Sequence, residues 1–292
     1  MATAWLAIVN PYAGYSHSAG WQGLFAERLK RELNAEVLFT QYPGHATELA
    51  GGAQTKDLAV FGGDGTVAEV VNGMDLDRQR LLLLSGGTGN GLARDLGLTS
   101  LDMAFAAARQ DRYHSLDLIK VSFRIQNHTY SRLAISTASV GYAAEVVVLA
   151  KRYFKRLGNW CYPLAATLQA ARQPAFPLKV SVDDGAFTNQ LLSNVMINNT
   201  CHAGNFSAFR QSDLRDGRFE VLMARAGFMR QFLHNVAVLS HTYFYRTAAE
   251  ISARDLSLAL SAPQRLMIDG EMWENVLEAR FEVLPGKLHC VI

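Results

Sequence analysis

Between residues 5 and 96, short apolar runs alternate with segments of helical period, and this alternation limits the fold more than any other feature of the chain. Trp5-Leu6-Ala7-Ile8-Val9 is an unbroken apolar run, as expected of a strand covered on both faces. Trp21, Phe25, Leu29 and Leu33 recur at the spacing of a helix's buried stripe, and Asn34 stands where that helix can stop. Residues 36–40, 58–61 and 81–84 read as further strands. Residues 46–50, 67–71 and 92–96 read as helices, with Gly97 placed to end the last. Repeated strand–helix alternation calls for a parallel sheet with right-handed crossovers and helices on both faces.

The pattern changes after about residue 115. Segments 118–124, 129–136, 178–182, 191–198, 218–224, 256–260 and 279–284 have strand character, and helical insertions are expected near 143–172 and 228–249. This predicts a second, mostly antiparallel domain, read as a sandwich.

Composition narrows the function classes. At 292 residues and 49% hydrophobic, the chain has material for one large or two ordinary cores. A formal net charge of +2 argues against a general nucleic-acid binder. Cys161, Cys201 and Cys290 are far apart, so neither a disulfide framework nor a metal-ligand spacing is implied. The N-terminal apolar run is too short for a signal peptide and runs into Asn10-Pro11. No stretch approaches the roughly 18–20 apolar residues that span a bilayer. The expectation is a soluble, cytoplasmic protein.

The chemistry is concentrated in glycine-bearing loops. Gly62-Gly63-Asp64-Gly65-Thr66 falls between a strand and a helix, and so does Gly86-Gly87-Thr88-Gly89-Asn90-Gly91. Glycines let a ligand approach the backbone, and a helix N-terminus offers free N–H groups and partial positive charge, which suits phosphate. Thr66 and Glu69 have the spacing of a capping box, expected to fix the start of the helix after the first loop. Asn10-Pro11-Tyr12-Ala13-Gly14 follows the first strand, so three such loops gather at the carboxyl edge of the sheet, where open parallel sheets bind ligands. No P-loop string exists. Gly63, Gly65 and Ala68 match an Ala-ended dinucleotide fingerprint, but the acid expected about 20 residues later is missing, which weakens a dehydrogenase reading.

With Glu69, Val70, Val71, Asn72 and Gly73 behind it, the first loop resembles the signature of the diacylglycerol kinase catalytic superfamily, which includes bacterial diacylglycerol kinases, their YegS-like relatives, sphingosine kinases and ceramide kinases. Asn10-Pro11 with Gly14 looks like the first motif of that family, and Thr88-Gly89-Asn90 with Ala93-Arg94 like its third. Gly141, Asp216-Gly217 and Asp269-Gly270-Glu271 follow in the family's order. The resemblance implies a Rossmann-like α/β nucleotide domain of the NAD kinase and phosphofructokinase type over 1–122, with 285–292 available to it, and an antiparallel β-sandwich lipid domain over 123–284. It implies ATP contacts from Asn10, Thr40, Gly62, Gly63, Asp64, Gly65, Thr66, Glu69, Thr88 and Asn90. The family often has Asn-Asp at the third motif, whereas Gly91 follows Asn90 here.

Phosphoryl transfer needs positioning, charge neutralisation and a group to take the hydroxyl proton. Asp64 is the nearest carboxylate for a magnesium ion. By resemblance, Asp269-Gly270-Glu271 supplies the base, either Glu271 or Asp269, against the alternative of a plain Asp-Gly hairpin turn. The stretch 213–218 resembles a structural magnesium site, with the Asp216 carboxylate and the Asp213 and Arg218 carbonyls as ligands. A simple turn explains it equally well. Lys151, Arg152, Lys155, Arg156, Arg172 and Lys179 lie in an interval without acids, together with Tyr153, Phe154, Trp160 and Tyr162. That composition suits an anionic membrane surface. A stripe of Phe228, Phe232, Val236, Leu239 and Tyr243 suits a lipid pocket mouth or ordinary core packing. The leading expectation is therefore a lipid kinase using ATP and Mg2+, peripheral to the inner membrane face. A kinase of a soluble hydroxyl such as NAD, and a nucleotide-binding regulator, are the alternatives.

Overall fold

The apolar runs of the first ninety residues become a parallel sheet. A computed structural model describes residues 5–14, 20–87, 90–154, 161–170, 172, 175–203, 206–207, 212–225 and 248–292. It separates into two compact units. The first comprises the described residues of 1–118, 202–205 and 285–292, and the second those of 119–201 and 206–284.

In the first unit the elements are β1 (Trp5–Val9), α1 (Trp21–Leu33), β2 (Ala35–Phe39), α2 (His45–Gly52), β3 (Asp57–Gly62), α3 (Asp64–Gly73), β4 (Arg80–Ser85), α4 (Gly91–Asp95) and α5 (Leu101–Gln110). β1 lies between β2 and β3, and β4 lies beside β3, all parallel. The carboxyl end of the chain joins beside β4, with His289 and Cys290 opposite Arg80 and Leu81. β1 and residues 81–84 are buried throughout, as parallel strands between helical layers must be. Register between β3 and β4 is pinned by Arg80, opposite Asp57, whose carboxylate accepts from Nε at 2.7 Å.

Local signals explain the helix ends. Asn34 takes the left-handed conformation (φ 51°) that closes α1. After α4, Gly97 N–H donates to Arg94 and Leu98 N–H to Ala93, the paired bonds of a Schellman ending. The expected capping box is absent. α3 begins at Asp64, earlier than the apolar period suggested, and Gly63 caps it without a side-chain bond. Thr66 and Glu69 lie inside the helix and are spent elsewhere. α5 was not among the expected elements. Ser100 caps it by accepting from Met103 N–H, and Ala104, Phe105 and Ala107 are its buried face.

The second unit is largely antiparallel. β5 (Tyr113–Ile125) enters it from the first and pairs with β6 (His128–Ala134). Next come β7 (Thr137–Gly141), α6 (Tyr142–Leu149), a π-helical turn (Ala150–Phe154) and α7 (Cys161–Ala170). The remaining strands of the chain are β8 (Phe176–Val182), β9 (Thr188–Leu192), β10 (Asn194–Asn198), the two-residue β11 (His202–Ala203), which is counted with the first unit, the two-residue β12 (Phe206–Ser207), β13 (Phe219–Ala224), β14 (Ala248–Ala253), β15 (Asp255–Ile268) and β16 (Glu271–Val291). β14, β13, β10, β7, β15 and β16 are neighbours in that order. β8 pairs with the first half of β15, and β9 lies outside β8. Ala138, Val140, Val195, Ile197, Val221 and Leu266 alternate onto one face and build the core.

Two expectations change. Segment 191–198 is two strands, not one: at Ser193 the chain leaves β8 for β7 and β13, and Ser193 N–H donates to Ala224 O instead. Residues 248 and 249, expected at the end of a helix, begin strand β14. The rest of that insertion, with Phe228, Phe232, Val236, Leu239 and Tyr243, lies outside the described residues, as do Lys155, Arg156 and Trp160.

Candidate active site

The two glycine loops of the first unit meet backbone to backbone. Gly62 ends β3 and Ser85 ends β4, so both loops leave the sheet at its carboxyl edge. A Cβ built on Gly87 would fall 2.3 Å from Gly63 Cα, so the loops can approach this closely only with glycine at position 87. Gly86 N–H donates to Gly62 O at 3.3 Å. Asn90, in the left-handed region (φ 46°), closes the second loop: its Oδ1 accepts from Gly87 N–H and its Nδ2 donates to Gly87 O. Thr88 and Gly89 lie outside the described residues.

Around this junction each expected residue has a definite post. Asn10 N–H donates to Phe61 O, and its Nδ2 donates to Thr66 Oγ1 at 2.9 Å, tying the first-strand loop to α3. Thr40 is buried, with its N–H on Val9 O. Asp64 Oδ2 accepts from Gly91 N–H at 3.2 Å and so links the two loops. Burial raises the Asp64 carboxyl above the usual aspartate range, although the Gly91 and Leu92 amides and Arg94 oppose that shift. Glu69 turns away: its Oε2 accepts from Ala46 N–H, and Thr47 Oγ donates to its carbonyl, so it anchors the start of α2. Gly65 differs from the other loop glycines. It sits exposed in the first turn of α3, without positive φ, and a Cβ there would meet nothing within 4 Å.

The acidic turn belongs to the second unit. Ile268 pairs with Glu271 across Asp269 and Gly270, which have φ of 44° and 87°, the signs of a type I′ hairpin turn. Asp269 is committed to the backbone. Its Oδ2 accepts from Ile135 N–H at 2.7 Å, and its Oδ1 from Ser136 and Thr137 N–H at 3.0 and 2.8 Å. This clamp is why β6 stops at Ala134 and does not run on to 136. Glu271 is exposed, with its Oε2 at 3.9 Å from Arg132 Nε, and the Arg132 guanidinium lies over the Trp273 ring. The alternatives left open by the sequence thus separate by geometry: one carboxylate holds a loop, and the other stands at the surface. Sequence reasoning did not single out Arg132, nor the amides of 135–137. Neither carries a local signal, because both are brought to the turn by pairing distant in sequence.

Asp213 and Asp216 fold back on their own loop. Asp213 Oδ1 accepts from Arg215 N–H and Asp216 Oδ1 from Arg218 N–H, while the Arg218 guanidinium donates to Ser252. These are turn contacts of Asp, as a simple turn expects. Among the described residues, no three His, Cys, Asp or Glu side chains converge as a metal-binding group. Asp64 presents one carboxylate at the loop junction, and magnesium held mainly through substrate phosphates needs one or two.

At the surface, Arg152 lies over the ring of the exposed Tyr153 at 5.2 Å, both within the π-helical turn. No helix among the described residues is long and apolar enough to cross a membrane.

Comparison with known proteins agrees with this picture. Residues 4–121 match the sequence profile of the diacylglycerol kinase catalytic domain. The chain is 27% identical, over 75% of its length and 76% of the relative's, to YtlR of Bacillus subtilis (strain 168), provisionally described as a lipid kinase. It is 24% identical, over 80% of its length and 71% of the relative's, to a diacylglycerol kinase of Staphylococcus haemolyticus (strain JCSC1435). A crystal structure of a diacylglycerol kinase from Bacillus anthracis str. Sterne superposes with a TM-score of 0.71 at 19% identity, covering 99% of this chain and 96% of the other, which establishes a shared fold. The matched segment, residues 4–121, is thus similar to the diacylglycerol kinase catalytic domain, and the relatives and the solved structure extend the likeness over most of the chain.

Proposed function

We propose that the chain is an ATP-dependent lipid kinase that transfers the γ-phosphoryl group to a hydroxyl of a diacylglycerol-type lipid. One observation carries the reading: Gly65. The fold does not ask for glycine there, since its backbone is ordinary, its surroundings are open, and alanine would favour the helix. A bare, exposed helix turn behind a Gly63 that provides no side-chain cap leaves N–H groups for an anion, as phosphate-binding helices do.

In this reading the first unit is a Rossmann-like nucleotide domain and the second a sandwich that receives the lipid, with the change of domain near residue 122. The loop amides and the start of α3 orient the phosphates, Asn10 and Thr66 hold the neighbouring loop in place, and Thr40 lines the nucleotide side. Asp64 would hold magnesium, which neutralises charge on the phosphate oxygens. Glu271 accepts the proton of the attacking hydroxyl, since the Asp269 oxygens already accept three N–H bonds. Arg152 and Tyr153 suit peripheral contact with an anionic inner membrane face. No nucleic-acid partner is proposed.

The test is incubation with γ-labelled ATP, magnesium and a panel of lipid alcohols. Label is expected in a lipid, with diacylglycerol foremost. Label appearing only in NAD or another soluble hydroxyl would replace the lipid reading. ATP bound without any transfer would support the second reading, a nucleotide-binding regulator, which the glycine at position 91 motivates.

A further inference from the structure

Lys151 is placed by an irregularity in the chain. α6 passes directly into the π-helical turn Ala150–Phe154, while Tyr142, Val146 and Ala150 hold the stretch against α7. A π turn has poorer hydrogen-bond geometry than an α turn and recurs at functional sites. Lys151 is exposed, and its Nζ donates to Gly270 O at 2.7 Å. That carbonyl belongs to the peptide that joins Gly270 to Glu271.

We propose that Lys151 is a positioning residue for Glu271, an inference that rests on the reading of Glu271 as the base. The acidic turn has two peptides to fix. The first residue is held firmly, through the Asp269 carboxylate on three amides and Asp269 N–H on Thr137 O. The second is Gly270, the residue with the widest backbone freedom, held at φ 87°. Rotation about its ψ would swing the Glu271 side chain against only the last rung of the ladder, Ile268 with Glu271, and without disturbing the Asp269 clamp. The Lys151 ammonium opposes that rotation by gripping the carbonyl. On the other side, Arg132 reaches the Glu271 carboxylate at 3.9 Å while resting on Trp273. Lys151 therefore sets the main chain, and Arg132 flanks the side chain.

The experiment compares Lys151→Met, Lys151→Arg and Glu271→Gln. Amide hydrogen exchange is followed in the full-length protein over 266–273, and turnover is followed with dioctanoylglycerol in neutral detergent micelles. Lys151→Met is expected to speed exchange at the turn about tenfold and to lower kcat about tenfold, leaving KM for ATP and Tm unchanged. Lys151→Arg is expected to restore most of both. Unchanged exchange at the turn in Lys151→Met overturns the proposal whether or not this lipid is phosphorylated. So does a kcat loss that follows Tm, fails to recover with arginine, or appears only on anionic vesicles, which would make Lys151 a membrane contact. Normal turnover in Glu271→Gln removes the base assignment and the role of Lys151 with it. An inactive Glu271→Gln beside an unaltered Lys151→Met removes Lys151 alone.

Discussion

The dipeptide Asp-Gly occurs four times, at 64–65, 184–185, 216–217 and 269–270, and the first and last copies do opposite things. At 64–65 it opens a helix with ordinary negative φ. At 269–270 it turns a hairpin with both residues left-handed. The sequence that follows decides between them: Thr66-Val67-Ala68-Glu69-Val70 continues with helical period, whereas Met272-Trp273 continues into a strand. The side chains nevertheless share a task. Each aspartate carboxylate accepts backbone amides of a neighbouring loop, Gly91 for Asp64 and residues 135–137 for Asp269. The groups left facing outward are a bare glycine in the first unit and Glu271 in the second. On the reading proposed above, an acid in a signature can tie loops together while its neighbour faces the ligand.

The sharpest way to break this comparison is to remove each acid of the second turn in turn. Glu271→Gln is expected to lower kcat by roughly 10²–10⁴, the usual contribution of a general base, with ATP affinity and Tm unchanged. Steady-state kinetics, ATP titration and a thermal melt check it. Asp269→Ala is expected to act chiefly through stability. Ile135, Ser136 and Thr137 would lose their acceptor, two of these residues being buried, at a cost of about 3 kcal/mol by urea titration. If Asp269→Ala kept full stability and lost only turnover, the clamp reading would fail and Asp269 would become the base.

Gly65→Ala tests the first turn, where the outcomes should diverge. Alanine meets no neighbour and suits the helix, so the unliganded protein is expected to gain about 0.5 kcal/mol. ATP affinity is expected to fall about tenfold, equivalent to ~1.4 kcal/mol, because the new methyl occupies the approach to the amides. Isothermal titration and denaturation on the same sample measure both. A gain in stability with unchanged ATP affinity would leave this glycine without the role that carries the functional reading.

What the sequence disclosed follows from how local each feature is. The parallel strands, α1 and the ending of α4 could be read because apolar runs, helical period and terminal Asn or Gly are written within a few residues. The start of α3 was misplaced because Thr66 and Glu69 imitate a capping box. Their oxygens instead serve Asn10 and Ala46, contacts that only the tertiary fold creates. α5 carries a local signal too, in Ser100 and the apolar face behind it, but it is short and lies beyond the regular strand–helix alternation. The break at Ser193 was hidden, since an apolar run does not show where a strand changes partners. At the candidate site the motifs picked out loops that the first unit brings together, but the different surroundings of Asp269 and Glu271 depended on the β6–β7 connection, more than 130 residues away in sequence.

The smallest expected effect comes from a third acid that works as Asp269 does. Asp183 is also left-handed (φ 47°), and its Oδ1 accepts from Arg254 and Asp255 N–H at 2.7 and 3.0 Å. Partial desolvation pushes its carboxyl upward, but those two amides, with Arg218 and Arg254, outweigh that and hold it below the usual aspartate range. The sign of the linkage follows directly. With the folded value depressed, the ionised group stabilises the protein above the ordinary aspartate range, and this contribution disappears as the pH falls through the depressed value. Asp183→Asn removes the titration and the charge beside Arg218 while keeping an oxygen for both amides. It should therefore lower stability slightly at neutral pH, and the difference from the native chain should shrink toward zero in acid. Turnover at neutral pH should stay the same, because nothing in the proposed chemistry uses this turn. Urea titrations across the acid limb, beside a neutral-pH assay, decide the matter. A constant stability gap at every pH would mean that geometry and not charge holds this loop. Lost turnover would show that a carboxylate clamp of this kind can reach the chemistry even without a neighbouring Glu271.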